Sequence, residues 1–533
     1  MSADAVLAFL NRRREVLVPV ALLGFALLVY LPYALKAGWY YDDWRLSSDF
    51  QAAGSSWSAQ FHQCAATIPA GRSISCLYLV TEYHLFTAHR SLYALLSLAF
   101  LVAMAWMTYL VLCRCRLAWP WAALAAVLLV AFPASDSTRL WEAASYGQYV
   151  IVLELAGVLL ALRALRLERG WARWAMHGLS LLLMLAAMVT YEIALPLVAL
   201  NGFVYWAAYR NRQALRRGLV DLGLAIAFVF YRLVLNPPGK SEGFVEHRTI
   251  GGNVSRAWTL IESAWETWHA TFLPGTLAAI VVAALLAVAL VLAIVDTEVR
   301  RRLRFWAAFL VAALVVAGAA TLVFQTANDL YRPEVGSLFN RVVLPASIAY
   351  VCVFIALLGI GFELVRRYTS RTWAALLLVV AVVLASGWHQ LRISSTHKEH
   401  WEAAWAEQKK ALPGYEAAVR GLPVHSRIVG FGAPTWVPEF IPIFAAPWDL
   451  KGALSYETDL RPRQASPMIS TSTEPCRPQG VVPEGTGTFP YEAPGEPLYF
   501  IDATSGTAIQ IRSEADCKRV VARWGVPPFW AIQ

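Results

Sequence analysis

Tyr40-Tyr41-Asp42-Asp43-Trp44-Arg45 sets two adjacent carboxylates just where the first long apolar run of the chain ends. A charge at the bilayer centre costs roughly 3 kcal/mol on insertion scales, so carboxylates gathered at a membrane face point to function. Trp39, Tyr40, Tyr41 and Trp44 form an aromatic collar suited to the headgroup zone. Tyr41 and Trp44 are therefore candidates to line a substrate site beside the acidic pair.

Composition fixes the class. The chain has 533 residues, of which 58% are hydrophobic and only 15% charged, with a mean hydropathy of +0.50. Those values exclude an ordinary soluble domain and point to an all-α polytopic membrane protein. The net charge of +9 would suggest a nucleic-acid partner in a soluble chain. Here the arginines fall in short clusters between apolar runs, which is a topology signal.

Because about 20 apolar residues span the hydrocarbon core, about eleven segments qualify. They cover roughly residues 17 to 36, 91 to 112, 118 to 133, 143 to 163, 174 to 190, 192 to 209, 219 to 235, 274 to 295, 305 to 325, 341 to 363 and 372 to 389. Basic clusters then fall on alternate connections: Arg12 to Arg14, Arg114 and Arg116, Arg163 to Arg173, Arg210 to Arg217, Arg300 to Arg304, and Arg366 to Arg371. This places the N-terminus in the cytoplasm and everything past about residue 390 outside. The N-terminal run lacks a small-residue cleavage site and reads as a retained first span.

Cysteine placement agrees. Cys64 and Cys76 lie in the first outside loop and Cys476 and Cys517 in the outside tail, where disulfides persist. Closing the loop between Cys64 and Cys76 is worth about 3 kcal/mol in the chain-entropy model. Cys113, Cys115 and Cys352 fall at the cytoplasmic edge or within a span and are expected to stay reduced. The chain thus divides into a membrane body, residues 1 to 390, whose large first outside loop covers 37 to 90, and a soluble outside domain, residues 391 to 533. That domain opens with an amphipathic stretch, His400 to Arg420. A strand follows at Arg427 to Gly432, and a hairpin is expected from Pro497 to Ile501 and Ala508 to Arg512, giving a small α/β fold. Gly430-Phe-Gly432 lacks the third glycine of a nucleotide fingerprint. The outside connection from Asn236 to Pro274 reads as a loop, and mid-span positions read as nearly free of charge.

Asp42-Asp43-Trp44, Gly71-Arg72 in the same loop and Tyr191-Glu192 at a mid-chain helix junction carry a resemblance. With this topology they make the chain similar to the GT-C class of integral membrane glycosyltransferases, among bacterial relatives of the protein mannosyltransferase and lipid A aminoarabinose transferase group. The resemblance implies an enzyme of the bacterial plasma membrane that moves a sugar from a polyprenyl-phosphate donor to a hydroxyl of an envelope glycan, lipid or protein on the outer face. By that resemblance Asp42 is the general base, since a carboxylate within reach of a hydroxyl takes its proton. Asp43 is expected to turn the other way and hold a divalent cation, Mg or Mn, or an arginine. Phosphate leaving groups favour the planar guanidinium. The outside arginines near helix ends are Arg45, Arg72, Arg139, Arg232, Arg332 and Arg341, of which Arg72, Arg139, Arg332 and Arg341 are the chosen donor contacts. Glu192 is a second carboxylate for sugar hydroxyls or a cation.

Other classes remain open on the sequence. An envelope polysaccharide polymerase or ligase would carry its large outside loop late and internally. A transporter would show charged, broken helices in two matching halves. A non-catalytic scaffold would use neither the acidic pair nor the arginines.

Overall fold

A computed structural model of the chain describes residues 3–68, 72–168, 170–235, 249–327, 329–369, 372–468, 475–483, 487–527 and 530. Gly71 lies outside the described residues. Among them, eight helices are long and apolar enough to cross a membrane: Arg13–Ala34, Arg90–Arg114, Glu142–Ala164, Trp171–Thr190, Glu192–Tyr209, Thr297–Gln325, Leu338–Thr369 and Thr372–Val419. The other three expected runs are helical but fall short of that standard. Trp119–Ala131 has 13 residues, about 20 Å of helix against a core of about 30 Å. Arg212–Phe230 opens with Arg212, Arg216 and Arg217 and carries Asp221. In the third, the apolar stretch is Ile280–Val295.

Burial sorts the helices. Leu344–Thr369 is surrounded on nearly every face, whereas Leu28, Leu182, Leu314, Leu376 and Leu384 on the outer helices are exposed. So large an exposed apolar surface suits hydrocarbon and not water.

The segments that the sequence assigns to the outside are helical where it reads them as loop. The first holds three helices, Asp42–Ala52, Trp57–Thr67 and Ser73–Phe86, and Cys64 is bonded to Cys76 between the second and third. Residues 236–248 fall outside the description, but the rest of the connection read as a loop to Pro274 is the helix Ile250–Phe272. Glu262 and Glu266 dilute its hydropathy, yet its faces are sharply divided. Val254, Trp258, Ile261 and Trp265 point outward at helical spacing, while Leu260, Thr267 and Thr271 pack inward.

The boundary set at residue 390 falls inside one helix, Thr372–Val419, of 48 residues. At 1.5 Å per residue it runs for about 70 Å, so it leaves the membrane body as a rigid strut and forms the first element of the C-terminal domain. That domain has a four-stranded sheet in the order Gln464–Pro467, Arg427–Phe431, Leu498–Asp502, Thr507–Gln510. The first two pairings are parallel and the last is the antiparallel hairpin, with Phe500 opposite Ile509. Cys476 is bonded to Cys517 at its edge.

The domain is packed against the segment that follows the first span. The helix Pro447–Glu457 lies on Asp42–Ala52 so closely that a Cβ on Gly452 would fall 2.5 Å from the Trp44 carbonyl carbon. Trp44 donates from Nε1 to Gln408 Oε1 at 2.8 Å, and the Tyr40 hydroxyl donates to the Trp401 carbonyl at 2.8 Å. One continuous apolar core runs from the spans through Tyr40, Trp44, Trp401 and Trp405 into the domain.

Ser55 and Glu492 are exposed on the C-terminal-domain side, and Gln213 is exposed within an arginine cluster. In a chain with Cys113, Cys115 and Cys352 replaced by serine, an impermeant maleimide on intact cells should label Ser55→Cys and Glu492→Cys and spare Gln213→Cys. The opposite pattern would invert the sides.

Candidate functional site

At the end of the helical body next to the C-terminal domain lies a cavity of about 490 Å³. Asp42, Arg72, Glu192 and Arg341 all line it, from segments far apart in the chain, together with Arg45, Arg232, Tyr146, Tyr191 and Tyr331. Phe228, Val229, Leu233, Val323 and Phe324 line an apolar part of the same wall. Four arginines against two carboxylates give this described wall an excess of positive charge, which favours an anionic ligand.

Asp42 and Asp43 part company at the start of the helix Asp42–Ala52. The preceding Tyr41 sits at φ 51°, a left-handed conformation unusual for a tyrosine, and it swings the chain into the helix. Both aspartates lie in the first turn, where the helix dipole favours negative charge. Asp43 is buried and spends both oxygens on backbone: Oδ2 accepts the Tyr40 N–H at 2.8 Å and Oδ1 the Ala143 N–H at 2.7 Å. Asp42 is half-buried and faces the cavity. Burial pushes its carboxyl above the ordinary range, against the opposing pull of Arg341 and Arg45 and a hydrogen bond from Trp448 of the C-terminal domain.

The arginines form two sets. Glu192 stands between Arg72 and Arg232, with Nε of Arg72 at 2.9 Å and Nη2 of Arg232 at 3.1 Å. Arg72 also lies over the Tyr191 ring at 4.7 Å. Glu192 is delivered by the tight turn Glu192–Ala194 that follows Trp171–Thr190, which explains why a carboxylate sits between two apolar runs. Arg341 is different. Its guanidinium rests over the Trp141 ring at 4.9 Å, it donates to the Leu338 carbonyl at 2.8 Å, and among the described residues no carboxylate is in salt-bridge contact with it. Of the four cavity arginines it is the one without a carboxylate in salt-bridge contact among the described residues.

Several sequence candidates lie elsewhere. Asp43 is not in the cavity wall, and each of its oxygens accepts a backbone amide. Among the described residues no set of three His, Cys, Asp or Glu side chains is placed to hold a metal ion. The residues present do not fit the Mg or Mn expected at Asp43. Trp44 is fully buried between Trp39, Trp405 and Tyr456, and serves docking instead of substrate. Tyr41 packs edge-on against Trp448 and Trp141 just outside the wall. Arg139 is buried with its guanidinium on the Tyr30 hydroxyl and on the carbonyls of Val130 and Leu129, where it caps the helix Trp119–Ala131. Arg332 is exposed and outside the cavity, because the chain turns it outward before the buried Pro333.

The sequence passed over Arg232 as a site residue, although it ends an apolar run just before Asn236-Pro237. It gave no sign of Trp448. It also missed a buried polar set among the helices. There Arg217 pairs with Asp221 at 2.9 Å and donates to Ser180 Oγ at 2.7 Å, while Tyr205 donates to Asp221 at 2.6 Å. Glu154 and Asn201 are buried nearby. Pairing lowers the cost of such charges, which is how they fit in an otherwise apolar body.

No family model matches the chain, and no curated protein matches it in sequence.

Two substitutions separate the roles of the acidic pair and the arginines. Asp43→Ala leaves two buried amides unpaired and should cost about 1–3 kcal/mol of stability, read as a lower Tm in detergent. Arg341→Ala should weaken binding of a polyprenyl phosphate by about tenfold or more, the loss of a charge-assisted hydrogen bond, while Arg332→Ala leaves it unchanged. Equal effects of the two arginine substitutions would remove the distinction between them.

Proposed function

We propose that the chain is an integral membrane glycosyltransferase of GT-C type that moves a sugar from a polyprenyl-phosphate donor to an acceptor hydroxyl. The observation that carries this reading is the cavity itself: a half-buried carboxylate, Asp42, shares one space with Arg341 and three further arginines, and part of the same wall is apolar. A phosphate sugar on a prenyl chain has three parts, and each meets its chemistry here. The phosphate meets Arg341, Arg72 and Arg232; the tail meets Phe228, Leu233 and Phe324; the acceptor hydroxyl meets Asp42.

In this mechanism Asp42 accepts the proton of the acceptor hydroxyl as its oxygen attacks the anomeric carbon, and the bond from that carbon to the phosphate oxygen breaks. Negative charge grows on the departing phosphate, where Arg341 stabilises it. Arg72 and Arg232 are already partly neutralised by Glu192, so they hold and orient more than they attract. The aromatic rings of Tyr146 and Tyr191 supply a face for the sugar. In the same reading the helical body makes eleven crossings of a bacterial plasma membrane. The N-terminus is cytoplasmic and the cavity opens on the outer face, with an envelope glycan, lipid or protein as acceptor.

The test is transfer of labelled sugar from polyprenyl-phosphate donors by the purified chain in nanodiscs. Asp42→Asn keeps the side chain's size but not its basicity, and should lower kcat by about a hundredfold or more with an unchanged Tm. Because burial raises the Asp42 carboxyl, the ionised base is lost as pH falls through that raised value. The acid limb of wild-type kcat should therefore lie above the usual carboxylate range and be absent from the residual activity of Asp42→Asn. Full turnover by Asp42→Asn would remove the base assignment, and a wild type inactive with every lipid donor would remove the function.

A further inference from the structure

A second constellation lies outside the cavity, where four separate segments meet. Asn340, next to Arg341 in the chain, is fully buried and its amide is saturated. Oδ1 accepts the Ser137 N–H at 3.1 Å, and Nδ2 donates to Asp136 Oδ1 and to the Val335 carbonyl, both at 2.9 Å. The other Asp136 oxygen is 2.7 Å from Nδ1 of His397, on the long helix Thr372–Val419. Nε2 of His397 faces Glu439 Oε2 of the C-terminal domain at 3.3 Å, and His400 Nδ1 is 3.5 Å from the same oxygen.

Local structure aims Glu439 at this point. It lies at the tip of a tight hairpin, Trp436–Val437 with Ile441–Pro442, whose tip residues Glu439 and Phe440 take φ of 66° and 54° without a glycine. Opposite, on the segment that carries Asn340 and Arg341, Gly336 leaves the room: a Cβ there would sit 2.5 Å from Glu439 Oε2. The hairpin tip is thus seated against the segment that holds the cavity's one arginine without a salt-bridged carboxylate among the described residues.

The carboxylates around His397 favour its charged form. Nδ1 is hydrogen-bonded to Asp136, which also accepts from Asn340, and Nε2 lies within ion-pair distance of the partly exposed Glu439. An imidazole flanked by two carboxylates is favoured as the imidazolium. The groups facing it are Asp136 from the second outside segment, Glu439 from the hairpin, and His400 and Lys398 from its own helix. Behind Glu439 stands Glu334, itself near Arg332 and Arg341.

We infer that protonated His397 is a positioning residue through which the C-terminal domain, by way of Glu439, Asp136 and Asn340, holds Arg341 in place in the cavity. When His397 loses its proton the hydrogen bond to Asp136 can remain, but the charge attraction that holds Glu439 is lost, so the Glu439 contact is released and the segment 334–341 loosens. The clamp is closed at low pH and open at high pH. The consequence for ligand binding rests on the proposed phosphate role of Arg341, but the clamp does not.

Hydrogen exchange of the full chain in nanodiscs tests the clamp directly. After correction for intrinsic rates, protection of the 334–341 amides in the wild type should fall about tenfold between about pH 6 and about pH 9. Glu439→Gln should flatten that dependence. Gly336→Ala, which displaces the carboxylate and leaves every titrating group in place, should show the weak high-pH protection throughout. His400→Asn should keep the wild-type dependence. A flat wild-type profile, a dependence that survives Glu439→Gln, or one abolished by His400→Asn would overturn the inference. Binding of a polyprenyl phosphate should weaken in parallel with the loss of protection. If it binds at no pH the functional reading fails, and the exchange result still decides the clamp.

Discussion

The arrangement around the cavity hangs on the buried carboxylate of Asp43. Its two oxygens join the Tyr40 amide to the Ala143 amide, which ties the segment after the first span to the turn before the helix Tyr146–Ala164. A buried carboxylate left without partners would cost several kcal/mol, and two amides without an acceptor would add to that. The pairing therefore locks the start of the helix Asp42–Ala52 in one orientation, and that orientation turns the neighbouring Asp42 into the cavity. One carboxylate is fixed to backbone, and the other is held half-buried at the cavity wall.

The second constraint is the seating of the C-terminal domain. The helix Thr372–Val419 is continuous from membrane to domain, so the domain is not tethered by a linker. Gly452 lets Pro447–Glu457 touch the backbone of the first outside helix, and Trp44 is used up in that contact. From this seat the domain reaches Asp42 through Trp448, and outside the cavity it reaches His397 through Glu439. A domain that would otherwise be an appendage thus touches the surroundings of the cavity at two points.

Much of this was legible in the sequence, for identifiable reasons. Long apolar runs announce helices whatever their surroundings, and a carboxylate or arginine at the end of such a run on one side must face headgroups, water or a ligand. That logic found Asp42, Arg72, Glu192 and Arg341, and the structure brings all four to one cavity. The same signal misled at Arg139, because a buried helix end also needs its carbonyls capped, and at Arg332, where a turn before Pro333 sends the side chain out. Trp44 looks like a headgroup aromatic, but only the fold reveals the partner that buries it. Helices such as Ile250–Phe272 stayed hidden because acidic residues on one face lower the average hydropathy without breaking the helical pattern. The contact between His397 and Glu439 has no local signature, since it joins a helix to a hairpin tip across the domain seam.

The most direct measurement is a structure of the protein in nanodiscs with a polyprenyl-phosphate sugar bound. The account predicts the donor phosphate within about 3 Å of the Arg341 guanidinium and near Arg72, the tail along Phe228, Leu233 and Phe324, and the anomeric carbon on the side of the cavity that carries Asp42. A donor bound with its phosphate outside this cavity, or with Asp42 turned away from the sugar, would contradict it.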